Sequence, residues 1–512
     1  MLMVILAGAA AASGAASQPG PAAPAAAPAS AEAAATSEAL ARRLIEVIGA
    51  GDEARARSFF EESFSPESAR FEPRERTLTR LLALTRQSGG IDIEELEREG
   101  DQLFLKGRTR RGALAVQGMI GVRAGRIMGF ELQRDPTVRG PGAPAWPPAA
   151  TTPGEAVAAI AREIDWRAQA GRFSGAVLIA HRGRPVLERA WGLARRGPDV
   201  AATPQTMFTT ASSTKMLTSA AIGRLIDQGR LSLDTTVAAA VPALASAPGA
   251  DRATIRDLLG HRVSYGEYFS ETEQDPLIAT HSRATELLPL LRGRAPEPAP
   301  AGRIAYSNAN YLVLAAAIEA GSGRSFYDYV EGEILRPLRM EHTSYGGGQA
   351  RPRNLALGWI KDEVEDPLGI GEWRSNEGRN GGSRGGPAGG AWSTAGDMWR
   401  FLDAVAAGRV IRPQTLQAMW GDRRRVSRNL GAAVGFMFRG GGEQPSFFGH
   451  SGGGGNAGVS SSVFITPDRE WAVVVLSNFS SPAGEMLGGQ VMDYLASLPR
   501  TERAEGARGE GP

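Results

Sequence analysis

Two strong hairpin signatures stand far apart in this chain, and their separation limits the folds open to it. Near the first, Ser174-Gly175-Ala176-Val177-Leu178-Ile179-Ala180 and Pro185-Val186-Leu187-Glu188-Arg189-Ala190 flank a turn at His181-Arg182-Gly183. Near the second, Gly458 to Thr466 and Trp471 to Asn478 flank Pro467-Asp468-Arg469-Glu470. Apolar, β-branched runs bounded by turn residues are hairpin signals. The sequence between them reads mostly as helix and loop. The simplest architecture joins both hairpins in one antiparallel sheet and lets the middle of the chain build a helical lobe against it, with a cleft between the two. The expected fold class is therefore α/β (α+β), for a large domain spanning 154–499.

At 512 residues the chain is too long for one ordinary core. Residues 1–17 (MLMVILAGAAAASGAAS) form a short apolar run ending in small residues, as a signal peptide does, although the run carries no Lys or Arg. An exported, periplasmic or secreted location is expected, with no stable membrane insertion once the signal is removed. Residues 18–36 are almost all Ala and Pro and read as a linker. From 37 to 135 the sequence predicts a small α+β domain. It holds an amphipathic helix over Leu40 to Ile48, two more around Glu53 to Glu62 and Arg74 to Gln87, then strands at Ile91 to Leu96, Gln102 to Gly107, Ala113 to Val122 and Ile127 to Gln133. Three helices followed by a four-strand meander resemble the cone-shaped NTF2-like superfamily, a likeness of element order alone. A Pro/Gly/Ala stretch at 136–153 marks a second linker, and the polar residues 500–512 read as a disordered tail.

Composition removes several classes of function. The 57 basic and 55 acidic side chains leave a formal charge of only +2, which does not predict nucleic-acid binding. There is no cysteine, so disulfides, zinc-thiolate sites and thiol nucleophiles are excluded. The five histidines (His181, His261, His281, His342, His450) are scattered without metal-ligand spacing, so neither a metal nor another cofactor is expected. Nearly every basic residue is arginine; the lysines are Lys106, Lys215 and Lys361. Arginine cannot give up its proton, whereas lysine can.

One of these lysines lies in Ala211-Ser212-Ser213-Thr214-Lys215, which runs into Met216 to Gln228 and stops at Gly229. Leu217, Ala221 and Leu225 recur at helical spacing with Gly229 as C-cap, so Ser212 and Lys215 are expected one turn apart on the first turn of a helix. A serine hydroxyl is a poor nucleophile until a base takes its proton, and a lysine near the positive end of a helix has a lowered proton affinity. Taken alone, the SxxK pattern also describes a surface helix start. A second pattern, Tyr306-Ser307-Asn308, precedes the apolar run Leu312 to Ile318. Tyr306 can act as a base if nearby positive charge lowers its pKa, and Asn308 can orient Lys215 and the substrate. A third, His450-Ser451-Gly452-Gly453, precedes the terminal hairpin, where small residues let a substrate lie along an edge strand and a free backbone N–H can complete an oxyanion hole. Read singly, YxN is a loop with a half-buried tyrosine and His450 a structural histidine.

Together, in this order and between matching hairpins, SxxK, YxN and HxG resemble the serine β-lactamase-related family of class C β-lactamases, DD-peptidases, D-aminopeptidases and β-lactamase-fold carboxylesterases. Thr254 to His261, Leu335 to Thr343, Gly386 to Met398 and Val474 to Asn478 are similar to that family as well. His261-Arg262-Val263-Ser264 departs from the usual His-Thr-Ser-Gly, and His450 stands where β-lactamases generally place a lysine. The resemblance implies acyl transfer through an acyl-enzyme. Ser212 would attack, Lys215 and Tyr306 would share its proton, and Asn308, His450, Ser451 and Gly452 would bind substrate. The backbone N–H groups of Ser212 and Gly453 would hold the oxyanion. The substrate is expected to be a small ester, peptide or lactam, with esterase or D-amino-acid peptidase favoured over efficient β-lactamase. The alternative is a non-catalytic cell-wall or partner-binding protein that retains the fold. The glycine-rich stretch Gly378 to Gly390 lacks the GK[ST] of a phosphate cradle and reads as a cleft-side loop.

Overall fold

The computed structural model describes residues 31–499 except 71, 136–137, 140–141, 151, 269–275, 292, 301, 348–350, 363, 377–383, 426–429, 441–445 and 455–456. The expected signal segment and the tail lie outside the described residues. No helix among the described residues is long and apolar enough to cross a membrane. The chain divides into two units. Among the described residues the larger comprises Pro144–Trp359 and 375–499, and the smaller comprises 31–143 together with Ile360–Arg374.

The smaller unit opens on α1 (Ala31–Gly49), α2 (Glu53–Ser63) and α3 (Arg74–Ser88), followed by the strands β1 (Ile91–Glu99), β2 (Gln102–Thr109), β3 (Ala115–Arg123) and β4 (Arg126–Arg134). Helix α1 begins inside the stretch expected to be linker. Residues 31–36 (AEAAAT) contain no proline and four alanines, and alanine is the strongest helix former, so the helix extends back to the last proline-rich residues. Asp52 caps α2 by accepting from the N–H groups of Ala54 and Arg55, and Gly89 ends α3 with φ +63°. The four strands pair antiparallel in sequence order, as a meander. Leu44, Ile48, Phe60, Leu81, Leu105, Ile120 and Ile127 form the core, and Leu368, from the Ile360–Arg374 segment, is fully buried in it. Gln87 Nε2 donates to the carbonyl of Glu365 and to Asp366 Oδ1, tying α3 to the same segment.

The larger unit is built on one eight-stranded antiparallel sheet. Its strands are β5 (Gly175–His181), β6 (Arg184–Trp191), β7 (Arg423–Arg425), β8 (Leu430–Ala433), β9 (Phe436–Arg439), β10 (Phe447–Gly454), β11 (Val459–Ile465) and β12 (Trp471–Ser477), ordered β7-β8-β9-β10-β11-β12-β5-β6. Strand β12 pairs with β5 from Trp471 opposite His181 to Ser477 opposite Gly175, so the two hairpins join side by side in one sheet as expected, as the block β11-β12-β5-β6 at one end of it. Side chains alternate between two cores, as the period of a strand requires. Val177, Ile179, Val473 and Val475 pack with α4 (Pro153–Gln169) and α8 (Ala483–Ser497) through Ile160, Ile164, Leu487 and Val491. Leu178, Val463, Val474 and Leu476 face the other way, onto α7 (Ala395–Ala406), in a core that also holds α5 (Lys215–Asp227) and, packed against α5, α6 (Ala309–Ser322). Both faces are thus covered, which explains why these strands read as continuous apolar runs. Helix α6 is buried along nearly its whole length, and α5 along most of its own.

Leu368→Ala should remove a fully buried side chain from the core of the smaller unit and cost about 2–5 kcal/mol. Urea unfolding of the full chain, followed by fluorescence and circular dichroism, reads that loss as a lower midpoint for this unit.

Candidate active site

The chain enters the site through a sharp elbow. Ala211 has φ +46°, a left-handed conformation that costs a non-glycine residue on the order of 1–3 kcal/mol and persists only where its surroundings hold it. Those surroundings are polar and buried. Thr210 Oγ1 donates to the Ala391 carbonyl (2.9 Å), Ser461 Oγ donates to the Thr210 carbonyl (2.8 Å), and the hydroxyls of Ser213 and Ser461 lie 2.9 Å apart. Thr214 Oγ1 donates to the Ala211 carbonyl across the elbow at 2.8 Å.

Residues Ala211–Thr214 form a 3₁₀ turn and α5 proper begins at Lys215, so Ser212 precedes the α-helix rather than sitting within it. In a 3₁₀ turn residues i and i+3 eclipse, which aligns the two side chains more directly than an α-turn would. Lys215 Nζ lies 3.2 Å from Ser212 Oγ, and the Tyr306 hydroxyl donates to the same oxygen at 2.9 Å. Lys215 Nζ also donates to Asn308 Oδ1 (2.6 Å) and to the Ala388 carbonyl (2.5 Å). The structure therefore brings Ser212, Lys215, Tyr306 and Asn308 into one hydrogen-bonded group.

Lys215 is fully buried, with its Nζ 4.9 Å from the ring centroid of Tyr306 and 5.3 Å from that of Tyr311. Burial lowers its pKa to about 7, against an opposing pull from the Glu267 carboxylate. Desolvation, and not the helix terminus invoked from sequence, is the dominant cause. Tyr306 departs from the expectation that charge would lower its pKa. Burial pushes the phenol far up, outweighing its hydrogen bond to Ser212. In the resting site Tyr306 is a neutral donor, and Lys215 is the group able to accept a proton near neutral pH.

The HxG strand supplies the facing wall. A Cβ placed on Gly452 would lie 2.4 Å from Ser212 N and 2.8 Å from Ser212 Cβ, so only glycine fits there. One residue on, a Cβ at Gly453 would point the other way, 2.5 Å from Glu485 Oε1. Strand β9 pairs with β10 as far as Met437 opposite Gly449, whereas β11 pairs with it through Gly454. Ser451, Gly452 and Gly453 thus have a strand partner on the β11 side only. His450 is buried, its carbonyl accepts from Ser213 Oγ at 3.2 Å, and its ring lines a small pocket with His261, Tyr306, Tyr311, Ala432 and Phe436. Burial first, and then the charge on Lys215, lower the His450 pKa to about 3.

Three participants carry no clear sequence signal. The Ala388 carbonyl lies in the similar stretch Gly386 to Met398, but a backbone acceptor leaves no residue signature. His261 opens the loop that departs from the family pattern; its ring stacks on Tyr306 at 4.5 Å and its Nδ1 accepts from Ser307 N. Burial drives its pKa well below the ordinary histidine value. Glu267 accepts from Asn308 Nδ2 at 2.8 Å and was not singled out by any motif. Among the described residues no group of three or more His, Asp or Glu side chains could hold a metal ion.

This fold and this constellation define a class, and comparison with known proteins places the chain within it. The β-lactamase family profile matches residues 156–493, and the chain belongs to that family. A penicillin-binding protein from Bacillus halodurans is 26% identical, with a TM-score of 0.55 over 65% of this chain and 98% of that one. A D-amino acid amidase from Ochrobactrum anthropi SV3 shares the fold at 23% identity and TM-score 0.54, covering 64% of this chain and 94% of that one. Protein flp of Staphylococcus aureus is 29% identical over 199 residues, 38% of this chain. The chain spans about 40% of the length of that relative. The teichoic acid D-alanine hydrolase of Staphylococcus aureus is 24% identical over 198 residues, 39% of this chain and 47% of its own.

Gly452→Ala should displace Ser212 and lower the rate at which it is covalently labelled by about 10²-fold, the scale of a misplacement near 1 Å. The rate of covalent labelling by a fluorophosphonate, with circular dichroism to confirm an unchanged fold, measures it.

Proposed function

We propose that this protein is a serine hydrolase that forms an acyl-enzyme on Ser212, acting on small esters or on amides of D-amino acids rather than as an efficient β-lactamase. The observation that carries the reading is the environment of Lys215. As a free base its amine has two N–H bonds and one lone pair. Asn308 Oδ1 and the Ala388 carbonyl take the two N–H bonds, which leaves the lone pair for the Ser212 hydroxyl. Tyr306 donates to Ser212 Oγ from the other side, so the order of donors runs from Tyr306 to Ser212 to Lys215.

On attack, the Ser212 proton passes to Lys215 as Oγ bonds to the substrate carbonyl carbon. The carbonyl oxygen becomes an oxyanion received by the N–H groups of Ser212 and Gly453. Collapse expels the leaving group, which takes the proton held on the Lys215 ammonium and so returns Lys215 to its free base; Tyr306, whose hydroxyl faces Ser212 Oγ, stays a neutral donor beside it. Water then repeats the sequence on the acyl-enzyme. Lys215 must be unprotonated to begin, so acylation should rise as pH increases through about 7 and level off above it.

Substrate preference follows from charge. Near pH 7 His450 and His261 are neutral and Lys215 is about half neutral, so these groups give little fixed positive charge to hold a carboxylate-bearing lactam. An uncharged ester or amide fits them better. The names of the amidase and of the teichoic acid hydrolase are in keeping with a D-aminoacyl group, and an exported location suits a substrate of the cell wall.

Intact-mass spectrometry after incubation with a fluorophosphonate, p-nitrophenyl butyrate, D-phenylalanine amide and a penicillin tests the reading. A mass increment is expected that vanishes in Ser212→Ala and is slowed at least about 10³-fold in Lys215→Arg, whose guanidinium cannot accept the proton. Failure of a folded wild-type sample to react with every reagent would return the protein to the binding-only alternative.

A further inference from the structure

The proton acceptor depends on an amide that could be turned either way. Asn308 meets Lys215 through Oδ1; rotated by half a turn it would present Nδ2 instead, and Lys215 would lose one of the two acceptors that aim its lone pair. What fixes the amide is Glu267. Its Oε2 accepts from Asn308 Nδ2 at 2.8 Å, and its Oε1 lies at the limit of hydrogen-bond reach, 3.5 Å, from Asn308 N. A carboxylate is an acceptor only, so it can face the NH₂ end of the amide and no other.

The loop that carries Glu267 is itself tied to the tyrosine segment. Ser307 Oγ donates to the Gly266 carbonyl (2.8 Å), Tyr265 N donates to Asn310 Oδ1 (3.0 Å), and an Arg294 N–H donates to the Glu267 carbonyl (2.6 Å). The carboxylate therefore arrives at Asn308 with little freedom.

We propose that Glu267 is a positioning residue for the nucleophile: through Asn308 it sets the direction of the Lys215 lone pair, and it brings a carboxylate to the Asn308 side of Lys215. This rests on the serine-hydrolase reading above. The groups that face Lys215 are Ser212 on its own turn, Tyr306 and Asn308 before α6, Tyr311 on α6, Glu267 and His261 on the preceding loop, Ala388 and His450. Of these, Glu267 is the carboxylate. Burial lowers the Lys215 pKa and Glu267 opposes it, so removing the negative charge must move the pKa further down.

Two variants separate direction from charge. Glu267→Gln retains an oxygen able to accept from Asn308 but loses the charge; Glu267→Ala loses both. The chain has only three lysines, so ¹³C-labelled lysine lets Lys215 be titrated by NMR in the full-length protein, assigned by its absence in Lys215→Arg. The same proteins are acylated by a fluorophosphonate across pH 5 to 9. In Glu267→Gln the Lys215 titration and the acid limb of acylation should both move down by about one pH unit, with the plateau within about threefold of wild type. In Glu267→Ala the plateau should also fall by about tenfold or more. Should Glu267→Ala not fold, Glu267→Gln still decides the charge. An unmoved Lys215 titration and acid limb in Glu267→Gln overturn the proposal, as does a uniform loss of rate at every pH with the limb unmoved. Absence of wild-type acylation beside a normal Lys215 titration instead overturns the serine-hydrolase reading, and the catalytic meaning of Glu267 falls with it.

Discussion

The removal of one amine from water organises the centre of the larger unit. An ammonium withdrawn from solvent is costly, so burial draws the Lys215 pKa down to about 7, where about half of the amine is neutral. That single fact makes a lysine with an ordinary pKa near 10 into a base usable near pH 7. The two tyrosine rings, the amide of Asn308 and the carbonyl of Ala388 must then satisfy what water no longer does. The hydroxyl network of Thr210, Ser213, Thr214 and Ser461 has a related task, since it holds the left-handed Ala211 that delivers Ser212 to the amine. Arginine could not replace the lysine: its proton would stay, and the burial would go uncompensated.

The fold was largely legible because its strongest signals are local. The turn residues of the two hairpins, the capped helix after Lys215 and the apolar run that becomes α6 each declare themselves within a short window, and the buried sheet made its strands unmistakable. The spacing of SxxK, YxN and HxG carried the principal side chains of the site. What escaped detection depends on long-range contact. No window of sequence reveals that Ala388 turns its carbonyl to Lys215, that Glu267 reaches Asn308 or that His261 stacks on Tyr306. Proton affinities are hidden for the same reason: around Tyr306 and Lys215 the local sequence shows neighbouring charge and helix position, whereas burial, a property of the finished core, governs both. The start of α1 is masked by the prolines that precede it, although alanine without proline is helical.

His450 illustrates how one residue type redirects a shared architecture. The His450 imidazole is buried and is neutral near pH 7, held so by burial first and then by the charge on Lys215. His450, His261 and Tyr306, which line one small pocket together, are consequently aromatic groups without charge near pH 7.

The boundary between the two units is not a single point along the chain. Residues 360–374 leave the larger unit in mid-sequence, contribute Leu368 to the core of the smaller one and return. A nick or truncation in the proline-rich stretch near residue 144 therefore cannot release two self-sufficient halves. The downstream fragment would carry an apolar side chain whose socket had been left behind, and the upstream fragment would keep a hole of the same shape.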